Sequence, residues 1–434
     1  MVTIVSPFEI AQKLYPTQYN TGMACKYSSF MISLPCEEGT LLYHTLTGEM
    51  VLLDRTETVN ESNQQLFFHK FIVPTKLDEH KLALQIRSIA SMMKGKKRQS
   101  SFLIPTTTDC NARCFYCFEH GCKRITMTAE TAKAVAAYMI RVSGNEELKI
   151  TWFGGEPLYN QEAIETICSE LKKADKPFSS VMVTNGYYLD RETAETAYRA
   201  WNLRLVQITL DGTKDVYLRT KAYIDHDPDA FDRVINNIIT ASKTGIAVNI
   251  RLNMDANNAE DLFCLAAELK DRLNGCKNIT GWCELLRDYI VKVGNFPSEE
   301  VAVETCLRLQ KTLDEQWPRS KEGLPRNVVI NSCIADNDAC ETILPDGTIS
   351  KCDKIDFQSI ISSIWSESVD YSEIQAWKET IVFPECKTCS VFPQCIVLKR
   401  CKGVKNGCTK ALRIRKRLEI EEKMMLEYEL YKKG

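Results

Sequence analysis

Cys110-Asn111-Ala112-Arg113-Cys114-Phe115-Tyr116-Cys117 places three thiols at C-x3-C-x2-C spacing in one tight loop. Three thiolates so spaced wrap three corners of a cubane iron–sulfur cluster, whereas cubanes held by thiolates are ordinarily closed by four Cys. The fourth iron is then left to a ligand that is not protein. A zinc knuckle or a few buried thiols fit the spacing less well, because zinc sites usually close with four ligands from paired C-x2-C or Cys/His units.

Working outward from the loop, short apolar runs alternate with amphipathic helical patterns from Phe102 onward, the sign of βαβ units and a parallel sheet in an α/β fold. Strands are expected at 102–104, 148–153, 180–184, 205–210, 247–253 and, more weakly, 279–286. Helices fit 129–142, 161–173, 191–200, 229–243 and 259–273. Ligands of open α/β sheets and barrels sit beyond the carboxyl ends of the strands, so the other strand ends should face whatever the Cys loop holds. Those ends read Gly154-Gly155-Glu156-Pro157, Thr184-Asn185-Gly186 and Thr209-Leu210-Asp211-Gly212, with Arg251 inside the fifth strand. Glycines permit close backbone approach, and a carboxylate accepts hydrogen bonds from an ammonium group. Taken singly, Asn-Gly and Asp-Gly are also ordinary turn dipeptides, and Arg251 also fits a charge on the sheet surface.

A helix over 298–316 leads into a second Cys-rich region: Cys333, Cys340, Cys352, Cys386, Cys389, Cys395, Cys401 and Cys408. Eight thiolates would ligate two further cubanes fully. Residues 343–350 read as two short strands around a Pro-Asp-Gly turn, a hairpin that brings its flanking thiols together. A pair of structural zinc sites is the competing reading, since C-x2-C is common in zinc ribbons.

The loop spacing, with Tyr116 before the last Cys, resembles the signature of the radical S-adenosylmethionine (SAM) enzymes. That resemblance implies a partial (β/α)6 TIM-like barrel and a 4Fe-4S cluster on Cys110, Cys114 and Cys117. SAM would chelate the open iron, and one electron would cleave it to a 5'-deoxyadenosyl radical. Tyr116 is carried over as a cofactor contact. Gly154, Gly155, Glu156 and Pro157 match the family's GGE motif, which holds the SAM amino group. Asn185 and Thr209 would reach the SAM carboxylate, ribose or nearby turns, and Arg251 would pair with the carboxylate. The region after 330 resembles the SPASM extension: Cys333, thirteen residues, Gly347, four residues, Cys352, then C-x2-C-x5-C from Cys386. The usual next gap of three residues is five here, between Cys395 and Cys401. By analogy, Cys333, Cys340, Cys352 and Cys401 take one auxiliary 4Fe-4S cluster, and Cys386, Cys389, Cys395 and Cys408 the other. Three clusters and SAM are therefore the expected cofactors. Were Cys340 a bystander, the first auxiliary cluster would keep an open iron.

The chain has 434 residues, 44% hydrophobic and 26% charged, enough for two or three domains with a substantial core. A net charge of −2 gives no bulk electrostatic case for nucleic acid. No window reaches the roughly 18 apolar residues of a membrane span, so the expectation is a cytoplasmic protein, and its 19 Cys read as metal ligands rather than disulfides. The expected domains are 1–95, 100–320, 330–410 and a C-terminal helix over 411–434. In the first, residues 27–34 and 41–53 suggest a hairpin, followed by helical stretches near 61–71 and 77–93. This module resembles the winged-helix-like leader-recognition element of enzymes that mature ribosomally made peptides. A precursor peptide bound through its leader, and a flavodoxin or ferredoxin-type reductant, are the expected partners. The resemblance thus points to a peptide maturase forming a Cys sulfur-to-carbon thioether, of sactipeptide or ranthipeptide type. Carbon–carbon crosslinking, epimerisation and Cys/Ser oxidation of the anaerobic sulfatase-maturase kind are the alternatives, the last needing a carboxylate base such as Asp211 or Asp288. A purely electron-transferring protein is disfavoured by the open iron. No catalytic acid or base is named by the sequence. Cys25, Cys36, Cys122, Cys168, Cys264, Cys276, Cys283 and Cys306 show no ligand spacing, and several, at helical or strand core positions, read as small buried hydrophobes.

Overall fold

The computed structural model describes residues 7–18, 22–55, 63–93, 98–119, 121–286, 294–318, 324, 333–354, 359–395, 397–401, 408 and 410–433. They fall into two compact units. One is drawn from 1–96, 320–332 and 379–434, the other from 97–319 and 333–378.

The N-terminal part of the first unit runs α1 (Pro7–Leu14), β1 (Cys25–Tyr27), β2 (Met31–Pro35), β3 (Gly39–His44), β4 (Met50–Asp54), α2 (Gln64–Phe68), β5 (Ile72–Pro74) and α3 (Glu79–Met93). Strands β2, β3 and β4 form an antiparallel meander, while β1 pairs with β5. The expected second hairpin strand breaks in two at His44–Gly48. Gly48 takes φ 75°, and the buried His44 ring accepts the Leu46 and Thr47 N–H groups at 3.3 and 3.2 Å, which turns the chain back. With Nδ1 an acceptor, the ring proton sits on Nε2, 3.0 Å from Ser28 Oγ. Asn63 caps α2 by accepting from Gln65 and Leu66 N–H, and α3 sets Leu82, Ala83, Ile86 and Ala90 on one buried stripe.

The second unit runs β6 (Ser101–Thr107), α4 (Ala129–Ser143), β7 (Leu148–Gly154), α5 (Gln161–Lys173), β8 (Phe178–Thr184), α6 (Arg191–Arg199), β9 (Leu203–Leu210), α7 (Lys214–Lys221), α8 (Ala230–Thr244), β10 (Ala247–Met254), α9 (Ala259–Arg272), β11 (Ile279–Leu285) and α10 (Glu299–Gln316). Strands β6 to β11 lie side by side in chain order, all parallel, which is the partial barrel expected. Alternate residues such as Leu148, Ile150 and Trp152 are buried beneath the helices, while Thr151 and Phe153 are half-buried on the inner face. Thr128, Asn160, Asp190 and Ser298 accept N-terminal amides of α4, α5, α6 and α10. Sequence patterning misses α7 because only Tyr217 and Lys221 are buried on it, leaving no apolar stripe.

Beyond α10 come β12 (Cys340–Ile343), β13 (Thr348–Ser350), β14 (Ile360–Ser363) and α11 (Tyr371–Lys378). β12 and β13 form the expected hairpin, but β12 also pairs parallel with β6, Cys340 opposite Ser101, and so extends the barrel sheet. Tyr138 on α4 fixes the junction by donating to Glu341 at 2.9 Å. The Cys-rich region expected as one domain over 330–410 is thus divided. Its first half satisfies the open backbone edge of β6, and its second half belongs to the unit holding the N-terminal elements.

The cause of that second association is apolar burial. Phe392 joins Ile10, Tyr15, Phe30, Leu82 and Ile86 in one core; Val391 joins Ile32, Leu41 and Tyr43 in another. Ile420, Met424 and Tyr428 of α12 (Lys410–Lys433), spaced four residues apart, complete the second core. On α12, Arg415 and Arg417 pair four residues on with Glu419 and Glu421. Among the described residues no helix is long and apolar enough to cross a membrane.

Candidate metal centre and cofactor site

The Cys loop leaves the carboxyl end of β6 and is pinned on both flanks. Ile125 N–H donates to Thr108 Oγ1 at 2.7 Å, and that hydroxyl donates to the Lys123 carbonyl at 2.7 Å. Asp109 accepts from Cys110 N–H at 2.9 Å and pairs with Arg113 and Arg124 at 3.6 and 3.5 Å. The strand end after β7 lies directly against the loop: Gly155 N–H donates to Thr107 O and Glu156 N–H to Asp109 O, at 3.0 and 2.9 Å. A Cβ on Gly154 would stand 2.3 Å from Thr107 O, and one on Gly155 would stand 2.1 Å from Asp109 O. Paired glycines are therefore required by the backbone of the Cys loop itself, and any side chain there would push the loop away.

Within the loop, Ala112 N–H donates to Cys110 Sγ at 3.3 Å and Cys117 N–H to the Cys114 carbonyl at 3.1 Å. Burial pushes Cys110 up to about 12 and Cys117 up to about 11, with neighbouring thiols of the loop adding to both. Burial raises Cys114 as well, opposed by the Lys221 ammonium. Three soft thiols this close to one another form a donor set suited to an iron–sulfur cluster, whose binding displaces their protons. Among the described residues no three His, Cys, Asp or Glu side chains converge on one metal ion. A cubane does not require such convergence, since each thiolate binds its own iron.

Glu156 of the GGEP stretch is fully buried, and its oxygens are used within the protein. Thr184 Oγ1 and Leu158 N–H donate to Oε1 at 2.6 and 3.1 Å, and Asn185 N–H donates to Oε2 at 2.8 Å. Its role is to tie the end of β7 to the end of β8. Glu156→Gln would turn an amide N–H toward a donor, with an expected loss of about 1–3 kcal/mol in denaturant unfolding. Unchanged stability would contradict the role. Asn185, so fixed, donates from Nδ2 to Asn111 Oδ1 at 2.7 Å and lies 3.8 Å from Cys110 Sγ.

Behind the loop lies a buried polar network that includes a residue the sequence did not single out. Lys221 Nζ pairs with Asp211 Oδ2 at 2.9 Å, both side chains almost wholly buried. Tyr116 donates to Asp211 Oδ1 at 2.8 Å and accepts from Lys221 Nζ at 3.3 Å. The Lys221 carbonyl also accepts from Arg113 N–H at 2.8 Å, while Ile224 N–H donates to the Asn111 carbonyl at 2.9 Å. The C-terminal end of α7 is thereby stitched to the Cys loop. An Asp-Gly turn with a lysine ten residues after the Asp gives no sequence signal for this pairing.

On the inner face, Arg251 sits between Thr209 of β9 and Trp282 of β11. Its guanidinium lies 4.9 Å from the Trp282 ring centre, and its Nε donates to Asn253 at 2.8 Å. Among the described residues no carboxylate pairs with it. Two residues earlier on the same face, the buried Asn249 Oδ1 makes no hydrogen bond within the protein. A free cationic fork and an orphaned acceptor suit a ligand carrying a carboxylate and hydroxyl groups. At the same mouth Phe118 and Phe153 stack at 6.1 Å, and Lys354 Nζ lies 4.2 Å from the Phe118 ring centre. Pro157 is buried in the turn after Glu156.

Of the later cysteines, Cys333 and Cys352 lie near enough for one to raise the other's pKa, and Cys352 is pushed up to about 12, chiefly by burial. Cys340 is buried at the head of β12, where its carbonyl accepts from Lys351 Nζ at 2.6 Å. Cys401 is exposed and belongs to the other unit. In that unit Cys386, Cys389, Cys395 and Cys408 line a single cavity. Those are the four thiols grouped by analogy. Asp288 lies outside the described residues.

Comparison with known proteins agrees with this geometry. Residues 104–262 match the family model of the Radical SAM superfamily. An uncharacterised protein of Methanocaldococcus jannaschii is 33% identical over 76 residues, 18% of this chain, which spans only 25% of that curated relative. Among solved structures, anSMEcpe with bound AdoMet and Kp18Cys peptide superposes with TM-score 0.59 at 18% identity, over 76% of this chain and 98% of its own. Streptococcus suis SuiB superposes with TM-score 0.51 at 12% identity, over 88% of this chain and 95% of its own. A structure of SuiB bound to precursor peptide SuiA gives 0.50 at 12%, over 89% and 95%. Identities this low speak to fold alone. With the matched family, the three-thiol loop and the strand ends gathered around it, residues 104–262 are a radical SAM domain.

Proposed function

We propose that the chain is a radical SAM peptide maturase that installs a thioether between a Cys sulfur and a carbon of a ribosomally made precursor. The observation that carries it is the unit around the β2–β3–β4 meander. Among the described residues β2 and β4 each pair on one side only, so either edge can accept a peptide leader as an added strand. We read this module as the winged-helix-like leader-recognition element. Coverage supports it, since SuiB matches 88% of this chain and anSMEcpe 76%.

In this proposal Cys110, Cys114 and Cys117 hold the SAM-binding 4Fe-4S cluster, and the eight later cysteines hold two auxiliary ones. When bound, cluster and SAM supply one-electron cleavage of the sulfonium and so hydrogen abstraction from the peptide. The residues of the chain do the rest. Gly154 and Gly155 keep the loop seated against β7. Arg251 receives the SAM carboxylate, Asn249 and Thr209 the ribose hydroxyls, and Asn185 presents its amide to Cys110. Phe118 and Phe153 exclude water at the mouth. What favours a thioether over a carbon–carbon link or epimerisation is its prevalence among maturases of this domain order. Electrons would come from a flavodoxin or ferredoxin-type protein.

The test is incubation of reconstituted protein, SAM and reductant with a short Cys-containing peptide encoded beside the gene. The expected products are 5'-deoxyadenosine and a peptide lighter by two hydrogen atoms per crosslink, with the thiol closed to alkylation. Leader removal should weaken peptide binding. A peptide with all thiols still alkylatable would contradict the thioether.

A further inference from the structure

We propose that Arg87, held by α3 over Phe392 and against the Cys395 backbone in the wall of the cavity of Cys386, Cys389, Cys395 and Cys408, raises the reduction potential of the cluster those thiols hold. This deepens the assignment of an auxiliary cluster to that cavity and rests on it.

α3 buries Leu82 and Ile86 against Phe392, which lies within the Cys-rich segment. The Phe392 ring stacks on His80 at 4.7 Å and carries the Arg87 guanidinium at 5.0 Å from its centre. Arg87 Nη2 donates to the Cys395 carbonyl. Its Nε is buried and makes no hydrogen bond. Among the described residues no carboxylate pairs with it. A cation held in this way loses hydration with only a carbonyl and a ring face to compensate, and a negative charge in the adjoining cavity would complete the compensation. Ionised, as cluster ligands are, Cys395 and Cys386 would oppose its desolvation.

Two cations line the cavity itself, Arg413 and Lys416. Lys416 is 42% exposed and paired with Glu419 at 2.9 Å, so solvent and a carboxylate screen it. Arg87, by contrast, has its Nε buried and no carboxylate partner among the described residues. A cubane on four thiolates is anionic and gains another negative charge on reduction, and net charge and hydrogen bonding at the sulfurs set its potential. A fixed, desolvated guanidinium therefore favours the reduced form. A higher potential makes the centre an acceptor of electrons, and the residue that sets it comes from the N-terminal unit.

The test is a potentiometric titration of the full-length reconstituted protein, followed by electron paramagnetic resonance, with iron content measured alongside. Arg87→Gln is expected to keep its iron and move that cluster to more negative potential, cutting the reduced-to-oxidised ratio at the wild-type midpoint about tenfold, or about 59 mV for one electron. Arg87→Lys, which keeps the charge, should stay near wild type. An unchanged midpoint in Arg87→Gln with iron retained would overturn the tuning role. So would loss of iron in both variants, which would mark Arg87 as packing alone. A double variant, Cys386→Ala with Cys389→Ala, should lose one cluster's iron and its signal. If it keeps both, the cluster assignment fails at its root.

Discussion

Cys114→Ala is expected to abolish formation of 5'-deoxyadenosine from SAM while leaving the iron of the C-terminal cysteines in place. Removing one thiolate from a three-thiolate loop leaves two, too few to hold a cubane against solvent and free thiols. Losing an outer-shell partner alone typically costs about 10–100-fold. Losing a ligand should cost more, and activity should fall to the background of iron-free protein. Cys114 is also set deep in the loop, buried near the Lys221 ammonium, with its backbone carbonyl accepting from Cys117 N–H. The measurement is nucleoside release by chromatography beside iron content. Persistent SAM cleavage in this variant would show that the loop is not the radical centre.

Lys221→Met should be the most damaging single change for stability. It leaves Asp211 as an uncompensated charge in a site where both side chains are nearly free of solvent. Breaking a buried pair in this way costs about 3–5 kcal/mol, far more than the net worth of the pair. The same substitution loosens Tyr116, which shares Asp211 with Lys221, so iron in the Cys loop should also fall. Pairing it with Asp211→Leu removes both charges and should restore much of the stability without restoring Tyr116. Chemical denaturation of the single and double variants gives the answer. A single variant within about 1 kcal/mol of wild type, in the range of an exposed pair, would contradict the burial of this network.

Much of the barrel was legible because its physics is local. Strands such as 148–154 and helices such as 161–173 announce themselves by period and caps, and the structure ends them within a few residues of expectation. The GGEP stretch was legible as a strand end, but the reason for its glycines was not. It lies in two carbonyls of a different loop, those of Thr107 and Asp109. The hold of Thr184 and Asn185 on the Glu156 carboxylate was not legible either, since it is set by the packing of two strand ends. α7 escaped notice because a polar helix carrying a buried lysine has no amphipathic signature. The break of β3 from β4 was hidden because, beside Gly48, it is made by a buried histidine accepting two amides, which leaves no sequence signal. Division of the Cys-rich region could not be read from spacing. It depends on β12 finding the edge of β6, and on Val391 and Phe392 finding apolar cores built more than three hundred residues earlier.

The central claim is that the cluster of Cys110, Cys114 and Cys117 keeps one iron for SAM. It is tested most directly by electron paramagnetic resonance of the reduced protein with and without SAM, in a variant whose eight C-terminal cysteines are replaced by Ala. The account predicts a cubane signal that changes shape when SAM is added. A signal that SAM leaves unaltered, or zinc in place of iron on this loop, would contradict it.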